Sequence, residues 1–63
     1  MENKLKEYRK KAGMTQKDLA NASGVTQRTI CKIENTDEAC VSMRTMTKIS
    51  NALGYKVKTI FFN

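Results

Sequence analysis

A chain of 63 residues can enclose only one small core, and that limit sets the problem the rest of the sequence has to solve. A domain of this size buries only about 60% of the surface its unfolded chain exposes, so it is marginally stable. Small domains are stapled by disulfides, a metal or oligomerisation. Histidine is absent, and the only cysteines are Cys31 and Cys40, so a four-ligand zinc site of thiolates and imidazoles cannot be built. A lone cysteine pair behind an N-terminus unlike a signal peptide reads as reduced thiols in a cytoplasmic protein. Oligomerisation is left as the expected staple. Residues 1–63 read as one domain, with no room for a deep catalytic cleft.

Twelve Lys and Arg stand against six Asp and Glu, a net charge of +6. A positive surface potential attracts polyanions, nucleic acid first and anionic membrane second. A membrane binder needs a long apolar span or a helix with a broad apolar face. No apolar run here exceeds three residues, as in Ile60-Phe61-Phe62, so no membrane partner is expected. Nor is enzymatic activity. There is no Ser- or Cys-centred nucleophile motif, no glycine-rich phosphate loop and no paired carboxylates. No cofactor or metal is expected.

Glycines at 13, 24 and 54, with no proline, divide the chain. Leu5, Tyr8 and Ala12 are spaced for one face of a helix that ends near Gly13. Thr15-Gln16-Lys17-Asp18 has the pattern of a capping box, followed by the inward residues Leu19 and Ala20. Thr26 can cap a helix from Gln27 to Glu34, with Ile30 and Ile33 inward and Gln27, Arg28, Lys32 and Cys31 outward. Asn35 to Val41 reads as a loop. Ser42 then caps a helix with an apolar stripe of Met43, Met46, Ile49 and Leu53. In the tail, Tyr55, Val57, Thr59 and Phe61 alternate as on a strand face; a short helix burying Val57, Ile60 and Phe61 also fits, and the strand is preferred because Lys56 is a poor cap.

The segment from Gln16 to Ile33 is the informative one. Two short helices that cross closely need a small residue, Ala20, at the crossing and a residue tolerant of positive φ, Gly24, in the turn. Val25, Ile30 and Ile33 pin the second helix to the core. Its other face projects, and a helix is the size of object that enters a DNA major groove.

The chain resembles the lambdoid-repressor, Cro and xenobiotic-response-element (XRE) family of helix-turn-helix regulators. The resemblance rests on Tyr8 to Gln16, Leu19-Ala20, Gly24 to Gln27, Ile30 to Glu34 and Ser42 to Gly54, within residues 5 to 54. It implies an all-α, four- to five-helix, lambda-repressor-like domain, with the helix-turn-helix at 15–35 and the recognition helix at 27–34. It implies sequence-specific binding of double-stranded DNA by a transcriptional regulator, expected to be a repressor. The tail, 55–63, would carry dimerisation through a β-strand; the cellular place would be the cytoplasm, at the nucleoid.

The resemblance also assigns residues. Gln16 matches a glutamine that bonds a phosphate and supports the recognition helix. Gln27, Arg28 and Lys32 match base-facing positions; Thr26 and Asn35 bracket them near the sugar-phosphate backbone. Arg44 falls where the family approaches phosphate, and Lys17 and Thr29 complete the DNA-facing set. Arg9 and Glu34 match a structural ion pair of the phage-repressor branch. The family often has Gly soon after that Glu and Pro before the Ser of helix four; this chain has Asn35-Thr36 and Val41, with Asp37 and Glu38 between them. Methionines 43 and 46 read as core, and Cys31 as a small neutral filler.

A homodimer paired through Tyr55, Val57, Thr59, Ile60, Phe61 and Phe62 would place two recognition helices on a palindromic operator. The rival expectation is an antitoxin-type protein whose tail binds a toxin, or an antirepressor, and which regulates its own operon.

Overall fold

The computed structural model describes residues 4–35 and 41–62; Thr36, the loop acids Asp37 and Glu38, and Cys40 lie outside the described residues. Five helices follow in order: α1 (Leu5–Lys11), α2 (Gln16–Ser23), α3 (Gln27–Asn35), α4 (Met43–Leu53) and α5 (Val57–Phe61). The fold is all-helical. The core packs α2 against α3 and α4, with α1 closing over α3 and α5, and α5 resting on α4.

The local chemistry sets the boundaries. Thr15 Oγ1 accepts from the Asp18 N–H at 3.0 Å, and Asp18 Oδ2 accepts from the Thr15 N–H at 3.0 Å, a complete capping box at the start of α2. Asp is long enough here to close it. Gly24 ends α2 at φ 76°, and its N–H donates to the Ala20 carbonyl at 3.0 Å. A Cβ at Gly24 would meet nothing within 4 Å, so the requirement for glycine is conformational rather than steric. Thr26 Oγ1 accepts from the Thr29 N–H at 3.2 Å and starts α3; Ser42 does the same for Thr45 at the start of α4.

Three sequence expectations are corrected. On α1 the inward residues are Leu5, Arg9 and the half-buried Tyr8, while Ala12 is exposed because the helix has already ended there. Arg9 can turn inward because a carboxylate waits for it. On α4 the buried stripe is Met46, Ile49, Ser50 and Leu53, spaced i, i+3, i+4 and i+7, and Met43 is 60% exposed. Met43 is the first residue of the helix, a full turn ahead of the packed stripe.

The tail is the third correction: residues 57–61 are helical, where a strand was preferred. The helix puts Val57, Ile60 and Phe61 on one face (i, i+3, i+4), and Ile60 and Phe61 are fully enclosed. A strand would send Ile60 and Phe61 to opposite sides. Burying a large apolar side chain is worth about 1.5–3 kcal/mol. A missing N-cap costs only about 1 kcal/mol, so the absence of a side-chain cap at Lys56 does not decide the outcome. The tail is also tied to the start of the chain, since the Lys4 N–H donates to the Ile60 carbonyl at 2.9 Å. Above it, Tyr8 and Tyr55 pack ring to ring at 4.6 Å, and Lys11 Nζ lies 4.9 Å from the Tyr8 ring centre.

Two outcomes follow for thermal unfolding. Phe61→Ala should cost about 3–5 kcal/mol, most of the stability of so small a domain, so it should be largely unfolded at room temperature by circular dichroism. The Ser50 hydroxyl is buried and makes no hydrogen bond to any described residue. Its desolvation is uncompensated, so Ser50→Ala should raise stability by about 1 kcal/mol, seen as a higher melting temperature.

Candidate nucleic-acid interface

On α3, successive residues turn by about 100° around the helix axis. Ile30 and Ile33 are buried, with Thr29 and Glu34 flanking them, whereas Gln27, Arg28, Cys31, Lys32 and Asn35 are all exposed. Those five occupy an arc of about 140° on the side away from the core. The face is polar throughout except for the Cys31 thiol, and it carries two positive charges and no negative one. Helix α3 is thus anchored by isoleucines and presents donors and acceptors outward.

The other candidates are distributed around this face. Lys17, Thr26 and Gln27 line one shallow groove between α2 and α3, together with Ala20, Asn21, Gly24 and Val25. Asn21 escaped the sequence reading; its place one turn after Lys17 is the signal that could have found it. Thr29 is half-buried, and its hydroxyl accepts from the Thr26 hydroxyl at 2.9 Å, so it shapes the start of α3. The Asn35 amide turns back and donates to the Cys31 carbonyl at 2.9 Å and to Cys31 Sγ at 3.3 Å. Arg44 is exposed in the first turn of α4.

Behind α3 lies a charged knot. Arg9 Nε donates to Glu34 Oε2 at 2.7 Å, Arg9 NH2 to Glu34 Oε1 at 3.1 Å, and Arg9 NH1 to the Met14 carbonyl at 2.8 Å. The Arg9 side chain is 10% exposed and that of Glu34 only 2%. This two-pronged geometry is the strong form of an ion pair. The hydrogen bond to Glu34 raises the Arg9 pKa above its ordinary value, against the smaller opposing effect of burial. Removing one partner of such a buried pair typically costs about 3–5 kcal/mol, because the other charge is left stranded. Gln16 joins the knot: its Nε2 donates to Glu34 Oε1 at 3.2 Å. The sequence reading named Gln16 and Glu34 separately and did not connect them.

The tail residues fall into different environments. Ile60 and Phe61, expected at a dimer face, are enclosed in the core of the protomer. Val57 and Thr59 are half-buried, Tyr55 is 37% exposed beside Tyr8, and Phe62 is 50% exposed. Among the described residues no helix is long and apolar enough to cross a membrane.

The sequence matches the family described as helix-turn-helix over residues 5–60, nearly the whole chain. The chain belongs to the helix-turn-helix family of XRE type, whose members are DNA-binding transcription regulators. Two relatives match nearly from end to end. An uncharacterized HTH-type transcriptional regulator of Methanocaldococcus jannaschii is 41% identical over 61 residues, covering 97% of this chain and 91% of that protein. The uncharacterized HTH-type transcriptional regulator YgzD of Bacillus subtilis is 36% identical over 62 residues, covering 98% and 92%. In helix-turn-helix terms, α2 and α3 are the paired helices, and α3 is the second of the two.

The capping box sets a pH dependence. Hydrogen bonds from the Thr15 backbone, and then from its side chain, hold the Asp18 carboxyl below its ordinary pKa. A carboxyl with a lowered folded-state pKa stabilises the fold above its unfolded value, and that contribution is lost as pH falls through the folded value. Wild type should therefore exceed Asp18→Asn in melting temperature at neutral pH. The gap should close in acid, below both pKa values, when melts are compared across pH.

Proposed function

We propose that the protein is a homodimeric repressor that inserts α3 into the major groove of a palindromic operator. The observation that carries this reading is the exposed face of α3, where Gln27, Arg28 and Lys32 project away from the isoleucines that fix the helix. Arg28 has the fork that suits guanine, Gln27 the amide that suits adenine, and Lys32 the charge for guanine or phosphate. Gln16, Lys17, Thr26, Thr29, Asn35 and Arg44 would hold the backbone on either side and fix the register. Repression follows from occupying a site that polymerase needs.

The dimer is inferred from what remains outside the core. Phe62 presents half its surface directly after α5, and Tyr55 is partly exposed just before it. Pairing two copies around α5, helix to helix rather than strand to strand, would cover these rings and supply the staple that a small domain lacks. The two α3 helices would then address half-sites one DNA turn apart, about 34 Å. The same exposed ring favours, as a second reading, an antitoxin-type role with a toxin on that surface.

Selection from random duplexes should recover a palindrome whose half-sites are about 10 base pairs apart. The four candidate cations of each protomer are Lys17, Arg28, Lys32 and Arg44. With Arg28 on a base, the six that remain in the dimer for phosphate should give a slope of log affinity against log salt of about −5. Arg28→Ala should weaken binding by about 1–3 kcal/mol and relax selection at one base pair of each half-site; unchanged selection would remove Arg28 from the reading role. In sedimentation equilibrium, wild type should dimerise in the micromolar range and Phe62→Asp should be monomeric, with a melting temperature that is lower than that of wild type and no longer rises with protein concentration. A wild type that stays monomeric moves the toxin-binding reading ahead.

A further inference from the structure

We infer that Glu34 is a positioning residue for DNA binding, one that sets which end of the Gln16 amide faces the phosphate; this rests on the DNA-binding reading above. An ionised carboxylate can only accept hydrogen bonds. Glu34 Oε1 lies 3.2 Å from the Gln16 side chain, so the amide must turn its nitrogen, not its oxygen, toward it. A phosphate is likewise an acceptor, and it too requires the nitrogen. Nε2 has two hydrogens, of which Glu34 takes one and leaves the other. The carboxylate is held in turn by Arg9, through Nε at 2.7 Å and NH2 at 3.1 Å, and its side chain is almost wholly enclosed. It cannot swing away. Gln16 is the first residue of α2 and half-buried, and Glu34 holds its amide nitrogen from the α3 side.

The ion pair therefore does more than join α1 to α3. It arranges in advance the amide at the start of α2, so that binding a phosphate there need not select among amide orientations. Preorganisation of this kind raises affinity by lowering the ordering cost of association.

Two variants separate this role from a structural one. Glu34→Gln raises the net charge from +6 to +7, so electrostatic attraction alone predicts tighter DNA binding. Loss of orientation predicts weaker binding, because a neutral amide at 34 can meet Gln16 with either end. Arg9→Met/Glu34→Leu replaces the pair with apolar groups of similar size, a change that buried pairs often tolerate without loss of stability, and it leaves the net charge at +6. The probe is the duplex selected from the random pool, and each variant is measured by fluorescence anisotropy at a temperature where circular dichroism shows it folded.

Gln16→Ala should weaken binding about tenfold or more across the two copies of a dimer. Glu34→Gln and the paired replacement should each approach that loss, and adding Gln16→Ala to either should cost little more. Wild-type affinity in both variants, or losses that add fully to that of Gln16→Ala, overturns the proposal. Wild type that binds no duplex defeats the DNA-binding reading itself.

Discussion

The buried pair of Arg9 and Glu34 is the interaction on which the rest of the arrangement depends. Its guanidinium comes from α1 and its carboxylate from the end of α3, and through NH1 it also holds the Met14 carbonyl in the turn before α2. Helix α1, the turn that follows it and the end of α3, 25 positions on from Arg9, are thereby fixed at one point. Charges enclosed to this degree are tolerated only when their hydrogen bonds are made. Here Glu34 accepts three hydrogen bonds, two from Arg9 and one from Gln16, so the penalty of burial is offset locally.

Around that point the apolar residues do the bulk of the work. Leu5, Leu19, Ile30, Ile49, Ile60 and Phe61 are essentially without exposed surface, and they come from all five helices. Among the described residues no helix is long enough to be stable alone, since isolated helices under about 12–15 residues are marginal in water. Side-chain caps mark where α2, α3 and α4 begin, and packing makes every helix persist. The benefit to function is indirect but specific: α3 is gripped on one face by Ile30 and Ile33 and at its end by Glu34, so its outer side chains start from a rigid base.

Much of this was legible in the sequence, because the informative signals were local. Thr15 and Asp18, Thr26, Ser42, Gly24 and Gly54 mark helix ends by chemistry that acts within four residues. The outward set on α3 follows from helical spacing once Ile30 and Ile33 are placed. What the sequence did not show were outcomes decided by distant partners. Lys56 looks like a poor helix start, and it is; the helix forms because a core surface on α4 and α1 accepts both Ile60 and Phe61. Met43 continues the stripe of α4 by spacing but lies beyond the surface it packs on. The bond from Gln16 to Glu34 spans 18 positions and two helices, and no local pattern encodes it.

The most direct test of the account is amide mapping by nuclear magnetic resonance during titration with the selected duplex. The account predicts that shifts concentrate at Gln16 and Lys17, along Thr26 to Lys32, and at Ser42 to Arg44, while the amides of Val57 to Phe61 change little beyond the effect of dimerisation. Shifts concentrated on α1 and α5, with α3 unmoved, would contradict it, because the DNA would then be held by a face other than the one that Ile30, Ile33 and Glu34 hold in place.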